Sequence, residues 1–212
     1  MTTYIKQASG KVLAGLLVAY LIFMGVLAVA PVDRTVWFAE NLTVWIIIGL
    51  IGFFYWRGVR FSLTAYLLAT VLIFMHTYGG HYTFANVPFE WMSDLLGSER
   101  NHYDRIAHFS VGLYAFAFAE WLIMSKAVRS KFVLITYPVL AIMSIAAFYE
   151  LVEMWFALAN GGDAATADAY LGSQGDIWDA QNDIIADTLG AVVAMGFFWI
   201  YYGKVRITEF LK

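Results

Sequence analysis

Apolar residues along this chain gather into six runs of about 20, at residues 12–30, 36–56, 61–78, 106–125, 132–156 and 184–202, rather than into alternating or amphipathic stripes. A helix needs a run of that length to cross a ~30 Å hydrocarbon core. The pattern predicts an all-α, polytopic membrane protein with six transmembrane helices and two long loops, residues 79–104 and 157–180, forming one domain over residues 1–212. The first run is too long for a removable signal peptide and lacks a small-residue cleavage site, so it reads as a retained span. The connections at 57–60 and 126–131 are short and join antiparallel neighbours. In the first long loop an amphipathic stretch, Glu90–Leu96, predicts a short interfacial helix with Trp91 at headgroup level. In the second, Asn160-Gly161-Gly162-Asp163 reads as a helix stop and residues 164–170 as a short helix.

Charge gives the chain a direction. Lys6, Lys11, Arg57, Arg60, Lys126, Arg129, Lys131, Lys204, Arg206 and Lys212 fall on one side of the six spans, and only Arg34, Arg100 and Arg105 on the other. The positive-inside rule then places both termini in the cytoplasm and both long loops outside. The composition, 61% hydrophobic and 14% charged, fits a bilayer protein, and a net charge of -3 with no basic cluster argues against a nucleic-acid partner. Because cysteine is absent, there is neither a disulfide framework nor a thiolate nucleophile or metal ligand.

Ionisable residues concentrate where the long loops meet the spans. His76 nears the end of the third run, His108 opens the fourth, Glu150 and Glu153 close the fifth, and Asp183 and Asp187 open the sixth. Asp104 and His108 are four apart, Glu150 and Glu153 three apart, and Asp176, Asp179, Asp183 and Asp187 follow at three, four and four, so each set shares a helical face. Charged side chains at lipid-exposed depth cost ~2.5 kcal/mol or more, so these faces must turn inward. The expectation is a polar chamber opening outward, walled by the third to sixth spans and roofed by the two loops.

So many acids, with Arg100 and Arg105 as the nearby cations, favour a bound divalent cation or a shared proton. Imidazole plus carboxylate suits zinc, iron or manganese. His108, Glu150, Glu153, Asp179 and Asp183 are the expected ligands, Asp187 and His76 the catalytic groups, and His81, Asp104, Arg105 and Asp176 the rest of the polar site. The Glu-x-x-His signature of di-metal carboxylate bundles is missing, and Glu150-x-x-Glu153 is its nearest analogue. Plainer readings compete: Glu150 and Glu153 facing outer solvent, His76 as a hydrogen-bonded interface residue, His81 and His102 as loop residues, Asp176 and Asp179 as caps of the last helix. Glu120 reads as a snorkelling residue paired with Lys126 or Arg129.

Four blocks, residues 80–88, 100–109, 148–155 and 171–183, make the chain similar to the YjdF-like bacterial inner-membrane proteins, a resemblance running over about residues 5–202. Met154 and Ala180 stand where such sequences carry Trp and Thr. The resemblance implies a multi-pass protein of the bacterial inner membrane, without naming a reaction. The residues themselves point to a metal-dependent hydrolase or transferase acting on a lipid or envelope molecule, in which a metal-bound water is the nucleophile. The rival readings are a proton- or cation-coupled transporter, in which the same acids form a relay, and a non-catalytic membrane scaffold.

Overall fold

A computed structural model describes residues 5–159 and 173–211. The elements in chain order are α1 (Gly10–Leu27), α2 (Arg34–Trp56), α3 (Leu63–Tyr82), α4 (Glu90–Leu96), α5 (Tyr103–Gly112), α6 (Ala115–Met124), α7 (Lys131–Ala159) and α8 (Asp179–Phe210). Among the described residues, six segments are long and apolar enough to cross a membrane, with α5 and α6 counting as one and α8 crossing up to Gly203. The chain is a polytopic α-helical protein with no strand among the described residues. An isolated bridge between Gln7 and Ser62 ties the N-terminal segment to the α2–α3 connection. Ile5 and Ile207 share one buried cluster, so both ends of the described chain lie together, opposite the end where the long connections emerge.

Local signals set the helix starts. Ser9, Asp33 and Ser62 each accept a backbone N–H of the first turn, the usual remedy for the unpaired donors of a helix N-terminus. The short helix expected at Glu90–Leu96 is α4, and its Trp91 and Leu95 are exposed. The helix expected at 164–170 lies outside the described residues.

The boundaries differ from the sequence expectation in three places, each of which moves the site. Helix α3 continues through Tyr82 instead of ending at 78, so Gly79 and Gly80 are helical. A Cβ on Gly79 would strike the Phe84 ring and one on Gly80 would strike Glu40 Cβ, so these glycines let α3 seat the returning loop and approach α2. The fourth span begins at Tyr103 and breaks at Leu113–Tyr114, where i→i−3 hydrogen bonds replace the α-helical ladder. Helix α8 begins at Asp179 rather than 184, which puts Asp179, Asp183 and Asp187 on one continuous helical face.

Packing centres on α5 against α8, with α7 alongside α8 and α6, and α3 against α5. Gly112 and Gly190 make this crossing: a Cβ on either would run into the backbone of the other helix. The contact brings Asp183 and Asp187 directly over His108. The α1–α2 pair leans on α3, and much of its apolar surface, such as Ile22, Val26, Ile46 and Leu50, is exposed as lipid contact requires.

Glu120 corrects a sequence expectation. It does not snorkel toward Lys126 or Arg129; it is fully buried, accepting the Ser62 N–H at 2.9 Å and the Tyr202 hydroxyl at 2.5 Å. It thereby joins the N-cap of α3 to α6 and α8.

Candidate functional site

Two arginines clamp the entrance of α8. Arg105 Nη2 lies 2.5 Å from Asp179 Oδ1 and 3.2 Å from Asp176 Oδ2, and its Nη1 pairs with Asp183 Oδ1. Arg100 Nη2 reaches the same Asp179 oxygen at 2.6 Å, and its Nη1 donates to the Ser173 carbonyl at 2.5 Å. Asp176 sits in the turn before α8, where the Trp178 N–H and the Asn182 amide donate to it, each at 2.9 Å. Those hydrogen bonds hold its carboxyl below the ordinary 3.8. His102, just before α5, is held below its ordinary value by burial and by the charges of Arg100 and Arg105.

The roof over this clamp comes from residues without charge. Asn101 donates its side-chain amide to the carbonyls of Ala85 and Val87 and exchanges hydrogen bonds with Gln174, its N–H to Gln174 Oε1 and Gln174 Nε2 to its carbonyl. It joins both long connections at one point. Tyr103 fixes the start of α5 by donating its hydroxyl to the Met75 carbonyl at 2.8 Å.

Beneath the clamp, His108 is the centre. Its Nδ1 is 3.1 Å from Asp187 Oδ2, and a neutral ring that donates Nδ1–H to that carboxylate has its Nε2 lone pair free. Nε2 faces Asp183 Oδ1 at 3.6 Å and Asp104 Oδ1 at 3.8 Å. These separations are too long for hydrogen bonds. They suit atoms sharing one ion: ligands each ~2.1 Å from a tetrahedral cation stand ~3.4 Å apart. Among the described residues, Asp104, His108 and Asp183 form a group whose ligand atoms all lie within 4.8 Å of one another. Asp187 is 1% exposed, and its Oδ1 has no hydrogen-bond partner.

A cavity of about 240 Å³ opens beside this group, lined by Asp104, His108, Asp187, Tyr149 and Glu153 and, on the far wall, by Glu40 and His76. His76 Nε2 lies 3.0 Å from Glu40 Oε2, a pair linking α3 to α2. Tyr149 of α7 and Thr43 of α2 both line the cavity between those helices. Glu150 lies within electrostatic range of His108, Asp183, Asp187 and Asp104, and one of its buried oxygens has no hydrogen-bond partner. Asp187, Glu150, Glu153 and Glu40 have no Lys or Arg partner among the described residues.

Of the residues singled out in sequence, His76, Asp104, His108, Glu153 and Asp187 line the cavity, while Arg105, Asp176, Asp179 and Asp183 build its arginine-clamped edge. Asp179 spends its inner oxygen on both arginines instead of facing His108. His81 is not brought to the cavity and is not a loop residue: it lies in the last turn of α3, where its Nδ1–H donates to the Leu27 carbonyl at 2.7 Å and anchors α1. Glu40 is the residue that sequence reading missed. A lone Glu in an apolar run carries no partner at helical spacing, and only the close approach at Gly80 hints at its place.

The family described as "Predicted membrane protein (DUF2238)" matches residues 12–204. "Inner membrane protein YjdF" of Escherichia coli (strain K12) is 36% identical over 204 residues, covering 93% of this chain and 92% of that protein. No solved structure matches. A family match over nearly the whole length and a full-length relative agree with the six membrane-crossing helices, and the chain belongs to the DUF2238 family of membrane proteins.

Proposed function

We propose that the protein is a metal-dependent hydrolase or transferase of the bacterial inner membrane, with both termini in the cytoplasm and its polar cavity opening to the outside. The observation that carries this reading is the Asp187–His108 contact, which turns Nε2 toward Asp104 and Asp183 at ligand-sharing distances. A carboxylate donor-partner on the far nitrogen is the usual support of a metal-bound imidazole. Asp104, His108 and Asp183 would hold a divalent zinc, iron or manganese ion. Such an ion supplies an activated water and polarises a substrate oxygen. His76, oriented by Glu40 on the opposite wall, would be the base that accepts a proton in the cavity, and Glu153 adds a carboxylate at its edge.

A transport path is the weaker reading because polarity stops below the cavity. Glu120, the buried acid at the other end, has both carboxylate oxygens occupied by Ser62 and Tyr202, and Tyr114 between the two regions spends its hydroxyl on the Ala69 carbonyl. The test is turnover. Protein in nanodiscs, loaded with zinc, manganese or ferrous iron, is incubated with a bacterial lipid extract that is then profiled by mass spectrometry. A chelator-sensitive product formed by the parent and absent with His76→Gln is expected; an unchanged extract under every metal would overturn the enzyme reading.

A further inference from the structure

A second, larger hollow continues from the polar cavity into the membrane. It measures about 560 Å³, is lined almost wholly by apolar and aromatic side chains, and shares Ile47, Leu72, Val111 and Ile145 with the polar cavity above it. It lies where α2, which packs on α3, diverges from α7, which packs on α6 and α8. Its outer side stays open: Leu50 and Tyr137 on its rim are about half exposed. On α3 it runs from Leu72 to Ala65, seven positions or ~10 Å at helical rise, and it continues past the N-cap to Phe61, so it spans a large part of one leaflet of a ~30 Å hydrocarbon core.

We infer that the site takes a membrane amphiphile: a head group with anionic oxygen donors at the Asp104–His108–Asp183 group, and a single long alkyl chain laid in the groove between α2 and α7. The inference rests on the proposed function for its head group only. Three features of the cavity and groove select this occupant. The polar cavity and the apolar groove adjoin at Ile47, Leu72, Val111 and Ile145, so a molecule occupying both is polar at one end alone. The proposed cation at the Asp104–His108–Asp183 group would give an anionic head its attractive partner in an otherwise acidic cavity. The groove is open sideways to lipid, so the chain slides in without leaving the bilayer, and only the head is desolvated.

The experiment uses cation-loaded, detergent-purified protein titrated with tetradecyl phosphate or hexyl phosphate and read by native mass spectrometry. Parent is compared with Ala117→Phe, which fills the groove floor from a half-buried position, and with Val193→Phe, on an exposed face of α8. The parent should take up one tetradecyl phosphate saturably. Ala117→Phe should weaken that by about ten-fold, equivalent to ~1.4 kcal/mol, leaving hexyl phosphate unchanged, and Val193→Phe should match the parent. Leu50→Trp, at the open rim, gives a second blocking variant if Ala117→Phe misfolds. Equal tetradecyl uptake by the parent and either folded blocking variant would overturn the groove, leaving ordinary surface lipid. Chain-length-dependent uptake blocked by Ala117→Phe in a parent that retains no cation would keep the groove and remove the metal reading.

Discussion

Glu120 and Asp187 are both buried acids on helices that cross the membrane, yet their surroundings differ in kind. Glu120 has one donor for each oxygen, a backbone N–H at the α3 N-cap and a tyrosine hydroxyl on α8, and it adjoins the main apolar cluster. Asp187 uses one oxygen to hold His108 and leaves the other unpartnered beside a cavity. A buried polar group left unpaired costs ~1–3 kcal/mol, so a fold keeps one only where something else depends on it. The satisfied carboxylate is a structural joint. The unsatisfied ones, Asp187 and Glu150, each have a buried oxygen without a partner among the described residues and are the acids on which the proposed ligand site rests.

Substitutions can break this contrast in opposite directions. Glu120→Ala strands the Ser62 N–H and the Tyr202 hydroxyl, and thermal or denaturant unfolding should register a loss of about 3 kcal/mol, with cation affinity unchanged in the protein that remains folded. Asp187→Asn should do the reverse: about 10- to 100-fold weaker cation binding, the effect typical of losing a partner that orients a ligating histidine, with the unfolding midpoint held. If Asp187→Asn lowers stability and spares cation affinity, the two acids are alike and the contrast fails.

The smallest effect lies at the rim. Asp176 has a folded-state pKa below its ordinary 3.8 because of hydrogen bonds from Trp178 and Asn182. Its contribution is therefore present above that ordinary value and is lost as pH falls through the lower folded value. Asn182→Ala removes one of those bonds and should move the Asp176 titration, followed by carboxylate NMR, upward toward 3.8, with no change in cation affinity at neutral pH. An unchanged titration would show that the Trp178 N–H and the neighbouring arginines set it without Asn182.

Much of this arrangement was legible in sequence because helical spacing and membrane cost act together. Six runs of bilayer length give the six crossings, and Asp104 with His108, or Asp183 with Asp187, can share a face only in a helix that turns it inward. Pairing between distant helices was not legible. Glu40 meets His76 because Gly80 lets two backbones approach, and the break after Gly112 comes from its crossing with Gly190, with no proline to announce it. Glu120 lies close in sequence to Lys126 and Arg129, which suggests an ion pair, but its face of α6 turns to Tyr202 and Ser62. Arg100 and Arg105 appear in sequence as counter-charges for the whole cluster, whereas in space they are spent chiefly on Asp176, Asp179 and Asp183.

Elemental analysis of the purified protein, stripped with chelator and reloaded in turn with zinc, manganese and ferrous iron, tests the centre of this account most directly. The account predicts one divalent ion retained per chain by the parent with at least one of these metals, and none by a folded His108→Ala variant; a folded parent that retains none after reloading, or a His108→Ala variant that retains as much as the parent, would contradict it.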